Sequence, residues 1–330
     1  MKKVAINGLG RIGRATLKII LEQENFELVA VNDLVPVSNL AYLLKYDTVY
    51  GRYEKEVTHD ADSITVGGHK IKVLSEKEPE KLPWKDLGVE LVFESTGIFK
   101  KQEELQKHQK AGAKKVILSA PSGSAEIPTI VHGVNNGENN DKIISCASCT
   151  TNCITPVVEV MARRVGIEKA IMTTIHAYTS SQAIVDAPSK KVRRGRAGAQ
   201  NLVPTSTGAA AATGKTLPEV EGKFDGVAVR VPVPVGSIAD IVFVTSKDIT
   251  ADEINKIFEE EAQSEKYKGI LGICEDEFVS SDIIKDPRAS IVDLGMTQVV
   301  AGNLVKIMSW YDNEWGYACQ MIRAAEAMAG

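Results

Sequence analysis

The sequence has no apolar run that approaches the ~20 residues of a membrane span. It also has no excess of basic charge: 39 Lys and Arg stand against 43 Asp and Glu, a net charge of −4. That balance lacks the basic stripe of a dedicated nucleic-acid binder. The one dense basic segment, Lys190, Lys191, Arg193, Arg194 and Arg196, is short and lies mid-chain. Five cysteines make an odd number, and Cys146, Cys149 and Cys153 crowd together. Such crowding suits a reduced cytosolic protein better than a disulfide framework. No internal repeat and no low-complexity tract is found. The opening MKKVAINGLGRIGR turns to Gly, Asn and Arg before an apolar stretch of about 7–15 residues develops, so no secretory signal is expected.

What is present is ordinary globular material. Hydrophobic residues are 44% and charged residues 25%, which excludes a disordered chain. At ~150 residues per domain, 330 residues suggest about two domains. KKVAIN (2–7), a Gly-rich turn, ATLKIILEQE at helical spacing and FELVAVND give strand, turn, helix and strand within the first 33 residues. That is the order of a right-handed parallel crossover. KIKVL (70–74), VELVFEST (89–96) and KVILSA (115–120) predict further strands, and 100–113 a helix ended by Gly112. The first half therefore reads as an open, mostly parallel sheet with helices on both faces. The second half differs. IMTTIHAYT (171–179), GVAVRVPVP (226–234) and ADIVFVTS (239–246) are long, alternating and β-branched. They predict a mixed or antiparallel sheet facing helices such as 251–263. Residues 180–204 show no periodicity, and a loop of that length is either functional or hides an element.

Gly8-Leu9-Gly10-Arg11-Ile12-Gly13 is a G-x-G-x-x-G run placed between strand and helix. Gly8 permits the tight turn, Gly10 lets the backbone approach a pyrophosphate, and Gly13 lets helix and strand pack closely. The helix N-terminus then faces the phosphates. Asp33, twenty residues past Gly13, stands where a carboxylate bonds adenosine ribose hydroxyls and repels a 2′-phosphate. A glycine-rich structural turn with a capping Asp is the plain alternative.

Cys149 follows Ser148, a good helix N-cap, and precedes a helical pattern. A thiol at a helix N-terminus should have a lowered pKa and act as a nucleophile. Pro156 implies that the helix starts later or is kinked there. Zinc would need a second Cys/His pair to complete four ligands, and none is seen, so no metal is expected. His176 ends an apolar strand, where it should be exposed to a cleft and titrate near neutrality. His59, His69, His108 and His132 lie in polar loop or helix-surface settings and receive no role.

The runs A-S-C-T-T-N-C (147–153), T-T-I-H-A-Y-T (173–179), R-G-R-A (194–197), P-T-S-T-G-A-A (204–210), V-R-V-P (229–232) and S-W-Y-D-N-E-W-G-Y (309–317) resemble phosphorylating glyceraldehyde-3-phosphate dehydrogenases, in the family's order. The resemblance runs from Val4 to about Ile322. It implies an α/β fold: a Rossmann-type doubly wound, mostly parallel sheet plus an α+β catalytic domain with a mixed or antiparallel sheet. The NAD-binding domain would comprise 1–148 and 312–330, and the catalytic domain 149–311. The 180–204 segment would be the family's S-loop, beside the cofactor of a neighbouring subunit.

The resemblance also implies the chemistry: oxidation of D-glyceraldehyde 3-phosphate with NAD and inorganic phosphate to 1,3-bisphosphoglycerate. Cys149 would form a thiohemiacetal and then a thioester, with His176 as the base. Thr179 and Arg230 match the substrate-phosphate site. Ser148, Thr150, Thr207 and Gly208 match the attacking-phosphate site, and Arg196 matches an arginine near both. Asn313 matches the residue that bonds the nicotinamide carboxamide, and Tyr317 an aromatic beside that ring. Arg11 and Ile12 lie where backbone N–H groups meet the pyrophosphate. Ser95, Thr96 and Ser119 match contacts on the ribose side. The family implies a cytoplasmic glycolytic homotetramer, with no membrane and no primary nucleic-acid partner. Erythrose-4-phosphate dehydrogenase, which hydrolyses its thioester, is the alternative on this scaffold.

The chain also departs from the pattern. Cys146 stands where Asn is common, Ser181 where Thr or Asp is usual, and Val233–Ser237 replaces a Thr-x-Asn-Val-Ser type. Ala187-Pro188 replaces the Leu-Pro of many NAD users. Asp33 is kept, so NAD is expected to be preferred, with NADP the weaker alternative.

Overall fold

The computed structural model describes residues 1–137 and 141–329. Contacts divide the chain into two units. The first comprises Met1–Ile130, Asn136–Ala147 and Met321–Gly330; the second comprises Val131–Asn135 and Ser148–Gln320.

The first unit is built on β1 (Lys2–Asn7), α1 (Arg11–Ile20), β2 (Phe26–Asn32), α2 (Val37–Lys45), a small hairpin of β3 (Tyr46–Asp47) and β4 (Gly51–Arg52), β5 (Val57–His59), β6 (Ser63–Val66), β7 (His69–Leu74), α3 (Trp84–Leu87), β8 (Leu91–Glu94), α4 (Gln102–Lys110), β9 (Lys115–Leu118) and β10 (Ile143–Ser145). Its sheet runs β10-β9-β8-β1-β2-β7-β6-β5. The six strands from β10 to β7 are parallel, and β6 and β5 continue antiparallel. The parallel strands are nearly continuous apolar runs because helices cover both faces; Val4, Ala5 and Ile6 have no exposed surface. β1 pairs with β2 on one side and β8 on the other, so the strand order reverses beside it. In such sheets the crevice at the carboxyl ends of those strands is the ligand site. The chain's last segment closes this unit: Asn25 Nδ2 donates to Glu326 Oε1 at 2.8 Å, and Lys115 Nζ donates to the Met328 carbonyl.

The second unit carries α5 (Cys149–Arg164), β11 (Ile167–Ala177), β12 (Val203–Ser206), α6 (Ala209–Thr216), β13 (Phe224–Val231), β14 (Ser237–Thr245), α7 (Ala251–Gln263), β15 (Leu271–Cys274), β16 (Ser290–Val300), β17 (Leu304–Tyr311) and the start of α8 (Trp315–Ala329). Its sheet runs β12-β13-β11-β14-β17-β16-β15 and is mixed, with β11–β13 and β15–β16 parallel and the other pairs antiparallel. One face packs on α5, α6 and α7 around Val157, Met161, Phe243 and Phe258. The α/β class expected from the sequence is therefore present in both halves.

Helix α5 begins at Cys149, as the Ser148 cap predicts and not later, and continues through Pro156 to Arg164. Its residues from Thr150 to Met161 are all buried, and burial on every side outweighs the ~3 kcal/mol that proline costs a helix interior. His108 is not a surface histidine: it is fully buried.

Helix α5 is tied to the turn after α7 by Glu159. Its Oε1 accepts from Arg163 Nε at 2.8 Å and Lys266 Nζ at 2.6 Å, and its Oε2 accepts from Tyr267 OH at 2.5 Å. Burial would raise this carboxyl, but the three donors outweigh it and bring the pKa down to about 2. A depressed carboxyl stabilises the fold above its unfolded pKa of ~4.3 and loses that stabilisation as pH falls toward the folded value. Glu159→Gln is therefore expected to cost about 1–3 kcal/mol at neutral pH. It should also weaken the fall in stability between about pH 4.5 and pH 2. Urea melts of both proteins near neutrality and in acid check this, and equal midpoints at neutral pH would refute it.

Candidate active site and dinucleotide pocket

The first unit has a cavity of about 480 Å³ at the strand-order reversal. Gly8, Gly10, Asp33, Ser95 and Thr96 are among its walls. Geometry explains the glycines. Gly8 has φ +94°, and a Cβ there would lie 2.7 Å from the Thr96 nitrogen. A Cβ on Gly13 would lie 2.0 Å from the Gly8 carbonyl oxygen, whereas Gly10 faces open space. No side chain caps α1, so its N-terminus keeps the polarity that favours an anion. Asp33 Oδ2 accepts from Leu9 N at 2.7 Å, which holds the carboxylate at the mouth of the turn. Ser95 Oγ is buried with no hydrogen-bond partner among the described residues. A glycine cradle, a carboxylate at the second strand end and an orphaned hydroxyl fit a dinucleotide.

Other predicted cofactor residues lie nearby or apart. Arg11 and Ile12 open α1, and the Arg11 guanidinium pairs with Asp47 at 2.5 Å. Ser119 follows β9 and donates its N–H to the Glu94 carbonyl at 3.0 Å, outside the cavity walls. Asn313 and Tyr317 belong to the second unit and are buried. Asn313 Oδ1 accepts from Gly236 N at 3.1 Å and Ser237 Oγ at 2.9 Å, which fixes the side-chain amide.

The second unit brings Cys149, His176 and Arg230 together. Ser148 caps α5, its Oγ accepting from Thr151 N at 3.1 Å, and places Cys149 on the first turn. His176 and Arg230 are register partners on β11 and β13. Cys149 Sγ lies 3.4 Å from His176 Nε2. One terminal nitrogen of Arg230 lies 2.5 Å from His176 Nδ1 and 2.8 Å from the Ala177 carbonyl oxygen. Nδ1 also lies 2.7 Å from the Ala177 carbonyl oxygen, which can only accept, so a proton on Nδ1 satisfies that bond and leaves Nε2 free to accept from the thiol. Arg230 Nε is buried and has no partner among the described residues. Tyr311 sits edge-on to the imidazole at 5.9 Å, and its hydroxyl bonds Thr150 Oγ1 at 2.9 Å and Thr174 Oγ1 at 2.7 Å.

The electrostatics differ from the sequence expectation. His176 is only 4% exposed rather than open to a cleft. Burial, then the neighbouring Arg230 cation, lowers its pKa to about 3. Burial pushes the Cys149 thiol up, and Arg230 and the Thr150 hydrogen bonds oppose it only in part. With Arg230 against Nδ1, the pair is therefore thiol and neutral imidazole. Enclosure outweighs the helix N-terminus here because desolvation penalises a charge more than half a helix dipole rewards it.

The predicted phosphate residues are partly gathered. Thr179 Oγ1 bonds Ser181 Oγ at 2.8 Å, and Thr207 Oγ1 and Gly208 cap α6. The hydroxyls of Ser148 and Thr150 are engaged in the helix cap and with Tyr311. Arg196 is exposed and bonded to Asp186 at 2.7 Å. Arg194, to which the sequence reading gave no role, stands two residues earlier. It bonds Thr205 Oγ1 at 3.0 Å and Ser181 Oγ at 3.5 Å, and its charge acts on both His176 and Arg230. The 180–204 segment is loop apart from a short helical turn at Val192–Gly195 and the first residues of β12.

The first unit thus offers a dinucleotide pocket and the second a thiol–imidazole pair beside an arginine, which defines a dehydrogenase class. Residues 2–102 match the NAD binding domain model, and residues 148–313 the C-terminal domain model, of glyceraldehyde 3-phosphate dehydrogenase. A Streptomyces avermitilis protein named glyceraldehyde-3-phosphate dehydrogenase 2 is 51% identical over 324 residues, covering 97% of this chain and 96% of its own. Glyceraldehyde-3-phosphate dehydrogenase 1 of Bacillus cereus is 46% identical, covering 99% and 98%. The enzyme of that name from Clostridium pasteurianum is 46% identical, covering 100% and 99%. The chain belongs to the glyceraldehyde-3-phosphate dehydrogenase family. It is an NAD-dependent oxidoreductase.

Proposed function

We propose that the chain converts D-glyceraldehyde 3-phosphate, NAD and inorganic phosphate to 1,3-bisphosphoglycerate and NADH. The observation that carries this is Cys149 Sγ at 3.4 Å from His176 Nε2, with Arg230, whose Nε has no partner among the described residues, beside them. Cys149 attacks the aldehyde carbon, a C–S bond forms, and the thiol proton goes through His176 to the new alkoxide. His176 then removes the hydroxyl proton while a hydride leaves the same carbon, giving a thioester on Cys149. NAD, when bound, accepts that hydride. Phosphate attacks the thioester carbonyl, the C–S bond breaks, and Cys149 recovers its proton. Arg230 and Thr179 hold the substrate phosphate, while Arg194, Thr207 and Gly208 serve the attacking phosphate. Asn313, its Oδ1 occupied, would have its amide N–H groups to offer the nicotinamide carboxamide.

Cofactor binding is assigned to 1–148 and 312–330, and catalysis to 149–311. The enzyme works in the cytoplasm, in glycolysis, as a homotetramer. Ile171 and Val227 are exposed on the sheet face away from α5 and α7, and Ile184, Val185 and Val192 on the S-loop, which supports subunit contacts there.

The test is NADH formation from the aldehyde with and without phosphate, then with NADP. A phosphate-requiring rate, with kcat/KM for NAD more than about tenfold above that for NADP, is expected from Asp33 facing a 2′-phosphate. A phosphate-independent rate would move the chain to the thioester-hydrolysing erythrose-4-phosphate class.

A further inference from the structure

Below the dinucleotide cavity lies a buried polar cluster that the chemistry above leaves unused. Glu94, His108 and Trp84 have no exposed surface. Glu94 ends β8, and four donors converge on its carboxylate. Oε2 accepts from Asn7 Nδ2 at 2.6 Å and from His108 Nε2 at 3.0 Å. Oε1 accepts from the Thr96 backbone N–H at 2.8 Å and from its hydroxyl. The direction of the histidine bond is set from behind. Trp84 Nε1, which can only donate, lies 3.0 Å from His108 Nδ1. Nδ1 must therefore accept, and Nε2 must carry the proton toward Glu94.

The network continues upward. Asn7 Oδ1 accepts from Asn32 Nδ2 at 2.8 Å. Asn32 grips the Glu76 backbone on both sides, Oδ1 accepting its N–H at 2.8 Å and Nδ2 donating to its carbonyl at 2.9 Å. Asn7, Asn32, Glu76 and Thr96 all line the cavity. One carboxylate thus ties together the ends of β1, β2 and β8 and the turn after β7. These are the strand ends that meet where the strand order reverses. Buried polar networks of this kind fix one arrangement when every member is satisfied.

We propose that Glu94, oriented by His108 and Trp84, is a positioning residue that holds the walls of the dinucleotide cavity and so sets the affinity for NAD. The proposal rests on the assignment of that cavity to NAD. Its test uses binding without substrate, so a failure of the Cys149 chemistry would leave it intact.

NAD affinity and melting temperature are measured for Glu94→Gln, His108→Leu, His108→Gln, Trp84→Phe and Leu44→Ala. A glutamine at position 94 has one carbonyl oxygen to accept from four donors. Glu94→Gln and His108→Leu are expected to weaken NAD binding at least about tenfold, a value set by orphaned buried donors. In steady-state assays this should raise KM for NAD, with kcat at saturating NAD within about twofold. His108→Gln keeps an acceptor and a donor and should remain within about threefold of the parent, since both partners can stay satisfied. Leu44→Ala, a cavity in α2 away from the network, controls for lost stability. If Glu94→Gln does not fold, Trp84→Phe removes the indole N–H with part of the ring and should weaken NAD by about threefold or more, beyond the weakening that an equal loss of melting temperature gives in Leu44→Ala. Unchanged NAD affinity in His108→Leu, or equal weakening in Leu44→Ala at the same melting temperature, would overturn the proposal.

Discussion

Cys149→Ser is expected to lower phosphate-dependent turnover by about 10⁴-fold or more while NAD binding stays within about twofold, since loss of a nucleophile removes the covalent route entirely. The hydroxyl would sit in the same enclosed place on α5. It is far harder to deprotonate than a thiol, and burial already disfavours the charged form here. His176→Asn should cost about 10²–10⁴-fold, the usual worth of one positioned base. Because Sγ and Nε2 are 3.4 Å apart and act as a unit, the double variant should be scarcely worse than Cys149→Ser alone. Rates of single and double variants, with NAD titrations alongside, decide this. Additive losses would mean that the two groups act separately.

Arg230→Leu should move two measurements in opposite directions. On the proposed assignment Arg230 is half of the substrate-phosphate site, so its loss should raise KM for glyceraldehyde 3-phosphate by about 10–100-fold, the worth of a charge-assisted hydrogen bond or two. The same residue presses a cation against His176 Nδ1 at 2.5 Å. Removing that cation should raise the imidazole pKa from its depressed value of about 3. Nδ1–H keeps the Ala177 carbonyl oxygen, 2.7 Å away, as its acceptor. The imidazolium becomes accessible, and with it a thiolate on Cys149. Alkylation of Cys149 by iodoacetamide should therefore become faster near neutral pH in Arg230→Leu, even as catalysis slows. The sign is informative: if Arg230 served mainly to stabilise the thiolate directly, alkylation would slow instead.

The dinucleotide turn was legible because most of it is local. Gly13 and Asp33 answer to a clash and a bond within one strand-turn-helix-strand unit, and the spacing alone carries them, while Gly8, with its positive φ, is also pressed by Thr96 beyond β8. The α5 start was legible for the same reason, through the Ser148 cap. What was not legible was decided by distant neighbours. No period marks the loop before β12, so nothing local separates Arg194 from Arg196; the partners Thr205 and Asp186 do. His108 hid in the polar run Gln102–Lys110, although it follows Leu105 by three residues and the two are the buried residues of α4. That spacing was the available signal. The protonation of Cys149 and His176 depends on enclosure and on an arginine from another strand, neither of which a linear motif records.

Helix α8 begins in the second unit and ends in the first, with Glu326 and Met328 held by Asn25 and Lys115. On the ribosome this imposes an order of events. The dinucleotide-binding unit starts the chain, yet it lacks its closing helix until the whole of the second unit has been synthesised. The nascent first unit must therefore wait, with the apolar surface meant for Met321, Ile322 and Ala325 uncovered. That interval, rather than the finished fold, is where a chaperone would find this protein.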